Sequence, residues 1–216
     1  MKRKASFFLG LVLATIGFSL NSAAQDLKPV KLPPPQTDGG RPLMQVLKDR
    51  KSTREFGPGT LSPQTLSNLL WAAFGINRPD GRRTSPSAMN WQEMSIYVAT
   101  PEGVYIYDAK DNALNPVLGG DFRAATGTQA YVKDAAVNLV YVSDLSKTGD
   151  AASPEAEMYT AADVGFIAQN VYLYCASEGL ATVVRASIDK PALAKTLNLQ
   201  PLQKIILAQS VGYPKK

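Results

Sequence analysis

Apolar residues recur along this chain at two periods, and the switches between them divide it into elements. Leu43, Val46 and Leu47 fall on one helical face, so a short helix is expected from Pro42 to about Arg50. Ser62-Pro63 opens a second helix, with Ser62 as its cap and Pro63 at the first helical position. Leu66, Leu69, Leu70 and Ala73 form its buried stripe, and Gly75 and Asn77 are stop residues. Arg78 to Asn90 has no apolar period and reads as a loop. Met94 to Ala99 reads as a strand, Pro101-Glu102-Gly103 turns the chain, and Val104 to Tyr107 returns beside it. Asp121 to Gly127 is a small helix or a loop.

The second half is more apolar. Ala135 to Val142 is nearly continuously hydrophobic, as expected of a central strand buried on both faces. Pro154 to Gly179 reads as one long helix, apolar almost all round, which belongs in a core or across a subunit interface. A strand over Leu180 to Arg185, a helix over Asp189 to Leu197 and a last strand over Ile205 to Val211 complete the chain. Helices and strands mix without strict βαβ alternation, which favours an α+β fold. Asp26 to Arg41 is rich in Pro and Gly and reads as an extended, loosely held arm.

The first residues follow a different logic. Lys2, Arg3 and Lys4 precede an uncharged apolar run from Phe7 to Leu20, and Ser22-Ala23-Ala24 offers small residues for cleavage. That is the pattern of a secretory signal peptide over residues 1–24. The apolar run is short for a membrane span, which needs about 20 residues. The expected organisation is therefore a leader over 1–24, an arm over 25–41 and one domain over 42–216. The protein is expected to be exported, periplasmic or secreted, with no membrane attachment after cleavage.

Charge then changes its meaning. The whole chain has 23 Lys and Arg against 18 Asp and Glu, a net charge of +5. Removing the leader's three cations leaves 20 against 18, or +2. So mild a balance gives no support to nucleic-acid binding. There is no histidine, which removes Ser-His-Asp hydrolysis, Cys-His chemistry and the common zinc sites. The single cysteine, Cys175, excludes an intramolecular disulfide and sits in an apolar run, as a small buried residue would. If the chain is an enzyme, a bound cofactor is the expected carrier of its difficult chemistry.

Two clusters carry candidate chemistry. Arg50-Lys51-Ser52-Thr53-Arg54 packs three cations and two hydroxyls into five residues. Arg50 and Arg54 offer charge-assisted forks to a phosphate and Ser52 a neutral donor; a solvated basic face at a helix end is the alternative. Pro86-Ser87-Ala88-Met89-Asn90-Trp91-Gln92 ends in two amide side chains, each a donor and an acceptor. They match the carbonyl and imide edge of a flavin pyrimidine; a plain turn is the alternative.

Together the two clusters resemble the Arg-x-Ser-x-Arg/Lys motif and the Pro-Ser-x-x-Asn-x-Gln loop of the nitroreductase family. Further ordered runs are similar to the family's azoline-oxidising (thiazole/oxazole-forming) branch: Leu69 to Gly75, Gly81 to Ser87, Gly103 to Asp108, Asp163 to Asn170 and Gly179 to Thr182. The similarity covers about Leu43 to Pro214. It implies an α+β sandwich with a central mixed sheet, built as an intertwined homodimer with FMN at the interface. Arg50, Ser52 and Arg54 would hold the phosphate, and Pro86, Ser87, Asn90 and Gln92 would line the isoalloxazine. A backbone N–H in the Val183 to Ala186 stretch, at Val184 or Arg185, would face flavin N5. Lys215 or Lys216 would complete the phosphate site, and Arg82 or Arg83 would reach the phosphate or the substrate, or simply solvate the loop. No catalytic side chain and no metal are implied. The activity implied is ping-pong oxidoreduction between a small-molecule electron donor and acceptor, on a nitroaromatic, a quinone or a small heterocycle. An azoline-type dehydrogenase of a peptide-derived substrate and a non-catalytic exported flavin-binding protein are the alternatives.

Overall fold

The computed structural model describes residues 27–151 and 153–216. The leader expected over 1–24 lies outside the described residues, as do Gln25 and Asp26. The elements run β1 (Val30–Lys31), α1 (Leu43–Asp49), α2 (Pro63–Phe74), β2 (Met94–Ala99), β3 (Gly103–Asp108), β4 (Ala113–Gly119), β5 (Val137–Asp144), α3 (Pro154–Glu178), β6 (Ala181–Arg185), α4 (Lys190–Thr196) and β7 (Gln203–Gly212).

One seven-stranded sheet has the order β1-β4-β3-β2-β5-β7-β6. The period-2 alternation of its strands divides two cores. Ile96 and Val98 of β2, with Leu139 and Tyr141 of β5, face α2 and α3. Tyr97 and Ala99, with Val140 and Val142, face Leu193 and Leu197 at α4. This two-sided burial is why β5 is almost continuously apolar. Leu69, Leu70 and Ile167 are fully buried on the larger side, a depth at which truncation to alanine typically costs about 2–5 kcal/mol. The architecture is an α+β sandwich. All six pairings are antiparallel, so the described residues of one chain supply no parallel partner for the mixed sheet that was expected.

Local signals set the helix ends. Ser62 and Ser153 each cap a helix that starts with proline, accepting from Thr65 N–H and Ala156 N–H. Gly179 ends α3 at φ 70°, a left-handed position that glycine reaches without a Cβ penalty.

One expectation needs correction, and two features go beyond what the sequence pattern predicts. The arm is not loosely held. Its Val30 and Lys31 pair with β4, Leu32 is buried, and the Pro33 carbonyl accepts from Ser67 Oγ at 2.6 Å and from Asn112 Nδ2 at 2.8 Å. β4 escaped detection because Asn115-Pro116 reads as a turn. Pro116 is tolerated because two-residue β1 pairs only with Ala113 and Leu114, leaving that part of β4 an edge. Finally, α3 is not enclosed all round. Met158, Ala161, Ala162, Gly165, Phe166 and Gln169 form an exposed, mostly apolar stripe, whereas Ala168 is buried in the core. On α1, Leu43, Met44 and Leu47 are also exposed, Met44 to 76%.

Candidate flavin site

Arg50 ends α1, and the chain then runs extended beside the edge strand β6. Thr53 N–H donates to the Thr182 carbonyl at 2.9 Å, which pins the segment there. The other side of the same segment meets the C-terminus: Gly57 N–H donates to the Tyr213 carbonyl at 2.9 Å, and Lys215 N–H to the Glu55 carbonyl at 3.3 Å. Arg50, Lys51 and Arg54 lie on this segment, and its contact with the C-terminus brings the backbone of Lys215 beside it. Among the described residues, none of the four forms an ion pair.

Tyr172 organises the cluster, a role that its place in the apolar run of α3 does not announce. Its hydroxyl accepts from Val184 N–H at 3.0 Å and lies 2.7 Å from Ser52 Oγ; Arg50 sits 5.3 Å over its ring. With Val184 donating to it, the Tyr172 hydroxyl can give its own proton to Ser52 Oγ. The Ser52 proton is then free for an anion. A tyrosine 120 residues from Ser52 in sequence leaves no local signal.

The same geometry revises the stretch expected to face the flavin ring. Thr182 and Val184 turn their outer backbone groups away from β7, as alternation along an antiparallel strand requires. Val184 N–H is already taken by Tyr172. Arg185 N–H points inward, and the Arg185 guanidinium is buried on Thr126 Oγ1 and Asn138 Oδ1, both at 2.9 Å, and on the Thr126 carbonyl. Burial pushes its pKa down to about 10, against a smaller opposing effect of Tyr131. Arg185 thus braces the core rather than the site. Ala186, one residue beyond the strand, is exposed, and its N–H has no hydrogen-bond partner among the described residues.

Pro86, Ser87, Asn90 and Gln92 form the second cluster. Met89, Asn90 and Gln92 have φ of 53°, 55° and 48°. Three left-handed non-glycine residues within four positions store strain of about 1–3 kcal/mol each, less for asparagine. Hydrogen bonds hold the loop in this shape. Ser87 Oγ accepts from Gln92 N–H at 2.9 Å, Gln92 Nε2 donates to Asn90 Oδ1 at 3.1 Å, and both Asp163 oxygens accept from Ala88 N–H, at 3.2 and 3.0 Å.

Beneath the loop lie two buried carboxyl groups, Glu93 at 0% exposure and Asp163 at 1%. Neither Glu93 oxygen has a partner at hydrogen-bond geometry, although the Ser87 and Thr160 hydroxyls stand close enough to offset part of its shift. Burial raises the pKa of Glu93, with Asp163 adding to the rise. Burial raises Asp163 as well, opposed chiefly by Ala88 N–H. An acid whose pKa is higher in the folded chain binds more protons when folded. Its contribution to stability therefore falls as pH rises from the ordinary carboxyl range through the raised pKa. Glu93→Gln is expected to gain melting temperature relative to wild type at pH 8 compared with pH 5. A difference between the two proteins that does not change with pH would show that Glu93 holds no suppressed charge.

The two clusters do not meet within one chain. Asp163 under the loop and Tyr172 under the cationic segment are nine residues apart on α3. That is two and a half turns, so they lie on opposite faces and about 13 Å apart along the axis. The exposed stripe of α3 runs between them.

Among the described residues no cluster could hold a metal ion, and no helix is long and apolar enough to cross a membrane. A sheet flanked by helices, with a cationic segment at its edge and a strained amide-bearing loop, defines an α+β scaffold with two candidate binding clusters. The nitroreductase family pattern matches residues 47–213, and the chain belongs to that family. It is 32% identical over 151 residues to a protein described as a nitroreductase in Methanocaldococcus jannaschii, covering 65% of this chain and 76% of the relative. A crystal structure assigned as a nitroreductase from Ralstonia eutropha superposes with a TM-score of 0.83 at 39% identity, covering 87% of this chain and 90% of that one. A chain of the Escherichia coli microcin synthetase McbBCD complex shares the fold, with a TM-score of 0.67 at 21% identity over 98% of this chain and 85% of that one.

Proposed function

We propose that the protein is an exported FMN-dependent oxidoreductase whose two flavin sites lie between two copies of the chain. The observation that carries this reading is the separation of the two clusters on opposite faces of α3, with an uncovered apolar stripe between them. A two-fold axis across that stripe would set one protomer's loop opposite its partner's cationic segment.

The residues fit the group. Among the described residues Arg50, Arg54 and Lys215 have no acidic partners, and Ser52 has a proton to give; this is a donor set for a phosphate dianion. Ala186 offers an uncommitted backbone donor on the same edge, in place of the Val184 or Arg185 first expected. Asn90 and Gln92, fixed by the loop's internal hydrogen bonds, supply donors and acceptors for a ring edge. When bound, FMN supplies hydride and electron transfer, and turnover is expected to be ping-pong between a small-molecule donor and acceptor. The chain's own residues bind and orient it: the cations neutralise the phosphate, and the Ala186 N–H stabilises negative charge on the ring. The strained loop is held ready before binding, so little ordering remains to be done. Anaerobic titration of the purified protein with reductants, followed in the visible spectrum, tests the reading; protein that purifies colourless and takes up no FMN contradicts it.

Export belongs to the same proposal. The mature protein is expected to begin near Gln25, and the intact mass of protein recovered from its native host checks this. A full-length chain retained in the cytoplasm would overturn it.

A further inference from the structure

We infer that the pocket beside the loop is a carboxylate-binding subsite, which makes the substrate of this oxidoreductase a small organic anion. The inference rests on the function proposed above, and it names the substrate class of that site. A cavity of about 470 Å³ opens between the Arg78 to Arg83 turn and the loop. Arg78, Arg82 and Arg83 line it together with Ser87, Asn90 and Gln92. Its wall is thus cationic and hydrogen-bonding, where a site for neutral aromatic molecules would be apolar.

Arg83 carries the argument. Its guanidinium is partly buried and stacks on Phe74, 4.3 Å from the ring centroid. Nε donates to Gln92 Oε1 at 2.9 Å and one terminal nitrogen donates to the Phe74 carbonyl at 2.9 Å. The other terminal nitrogen has no hydrogen-bond partner among the described residues, and no carboxylate pairs with Arg83. Burial lowers its pKa, while Tyr107 and Asp108 act more weakly in the opposite direction. A cation moved out of water without a counterion is costly. Phenylalanine stacking and two neutral acceptors offset part of this cost, and the charge itself stays without a paired anion among the described residues.

The surroundings are arranged for an incoming anion. Arg78 is exposed and reaches across to the Arg83 carbonyl at 3.2 Å, so the turn closes on itself. Arg82 is exposed and only loosely paired, 3.5 Å from Asp80. Arg83 is fixed and the other two are adjustable. Through Gln92, the fixed one is coupled to the residue whose φ of 48° shapes the ring-facing loop. A carboxylate accepts from the open terminal nitrogen of Arg83 and neutralises its charge, which a neutral amide of the same shape does not. The cationic segment at β6 is separate from this group, since it lies on the opposite face of α3 from the loop.

The test compares 4-nitrobenzoate with 4-nitrobenzamide, matched in shape and differing in charge. Titration calorimetry on the purified protein reads the affinity of each. The carboxylate is expected to bind about tenfold tighter or more at low salt, the equivalent of one charge-assisted contact. The preference should shrink at high salt. Arg83→Gln should abolish the preference and Arg83→Lys should keep part of it. Because Arg83 also supports the loop, Arg78→Gln combined with Arg82→Gln provides a second variant at exposed positions, expected to weaken the carboxylate alone. Equal affinity for the two ligands, no measurable binding of either at millimolar concentration, or a preference that survives Arg83→Gln overturns the inference. Flavin content, read separately from the absorbance of the same samples, reports on the function. A flavin-free protein that still prefers the carboxylate refutes the function and keeps the anion site. A flavin-loaded protein without the preference does the reverse.

Discussion

Arg50→Ala and Arg54→Ala are each expected to lose FMN affinity by about tenfold or more while leaving riboflavin binding unchanged. The reason is electrostatic and local. Among the described residues neither guanidinium has an acidic partner, so each is available to a phosphate. A charge-assisted hydrogen bond contributes roughly 1.5–3 kcal/mol, and 1.4 kcal/mol is a factor of ten. Riboflavin has the ring system without the phosphate, so it separates loss of the grip from damage to the ring site. Arg50 also sits over Tyr172 and could disturb Ser52 when removed. Arg54 makes no such contact and is the cleaner variant. Equilibrium dialysis of each apoprotein against both ligands reads the effect. Unchanged FMN affinity in both variants would make the segment a solvated basic surface.

The second large effect concerns the exposed stripe. Gly165→Arg is expected to leave each protomer folded and to abolish both dimer and bound FMN. A Cβ added at Gly165 meets no heavy atom within 4 Å outside the backbone of its own helix in the isolated chain, and the position is exposed, so a longer side chain has solvent to enter. Glycine within a helix also costs about 0.5–1 kcal/mol relative to alanine, so the helix itself gains from the replacement. Any loss must therefore come from a second copy. Buried Ala168 is the contrasting position: Ala168→Arg should unfold the chain, since that Cβ belongs to the core. Circular dichroism separates the two outcomes, and light scattering reports the dimer. A Gly165→Arg protein that remains dimeric with full FMN content would remove α3 from the interface.

Much of the fold was legible because the period of apolar residues reports burial directly. β5 is buried on both faces and is almost continuously apolar from Leu139 to Val142, and α2 carries its cap and its stripe in plain view. What remained hidden depended on partners far away in sequence. Pro116 signals a turn, yet it lies in a strand because β1 is too short to need its missing N–H. The arm reads as loose from its prolines, yet the Pro33 carbonyl is held by Ser67 and Asn112. The apolar composition of α3 pointed to burial without telling Ala168 from Gly165, because only the position of α2 and the sheet decides which side is covered. At the candidate site, the cations and amides were readable as residue types. Tyr172 was not, and it decides that Val184 N–H is occupied and leaves Ala186 as the open donor.

The central claim is that FMN is bound between two protomers. Sedimentation velocity of the purified protein, recorded at protein and flavin wavelengths together, tests it most directly. The account predicts that all flavin absorbance sediments with a dimer, at one FMN per protomer, and leaves it when Gly165→Arg produces monomer. Wild-type monomer sedimenting with stoichiometric FMN would contradict it, as would a dimer that takes up no FMN.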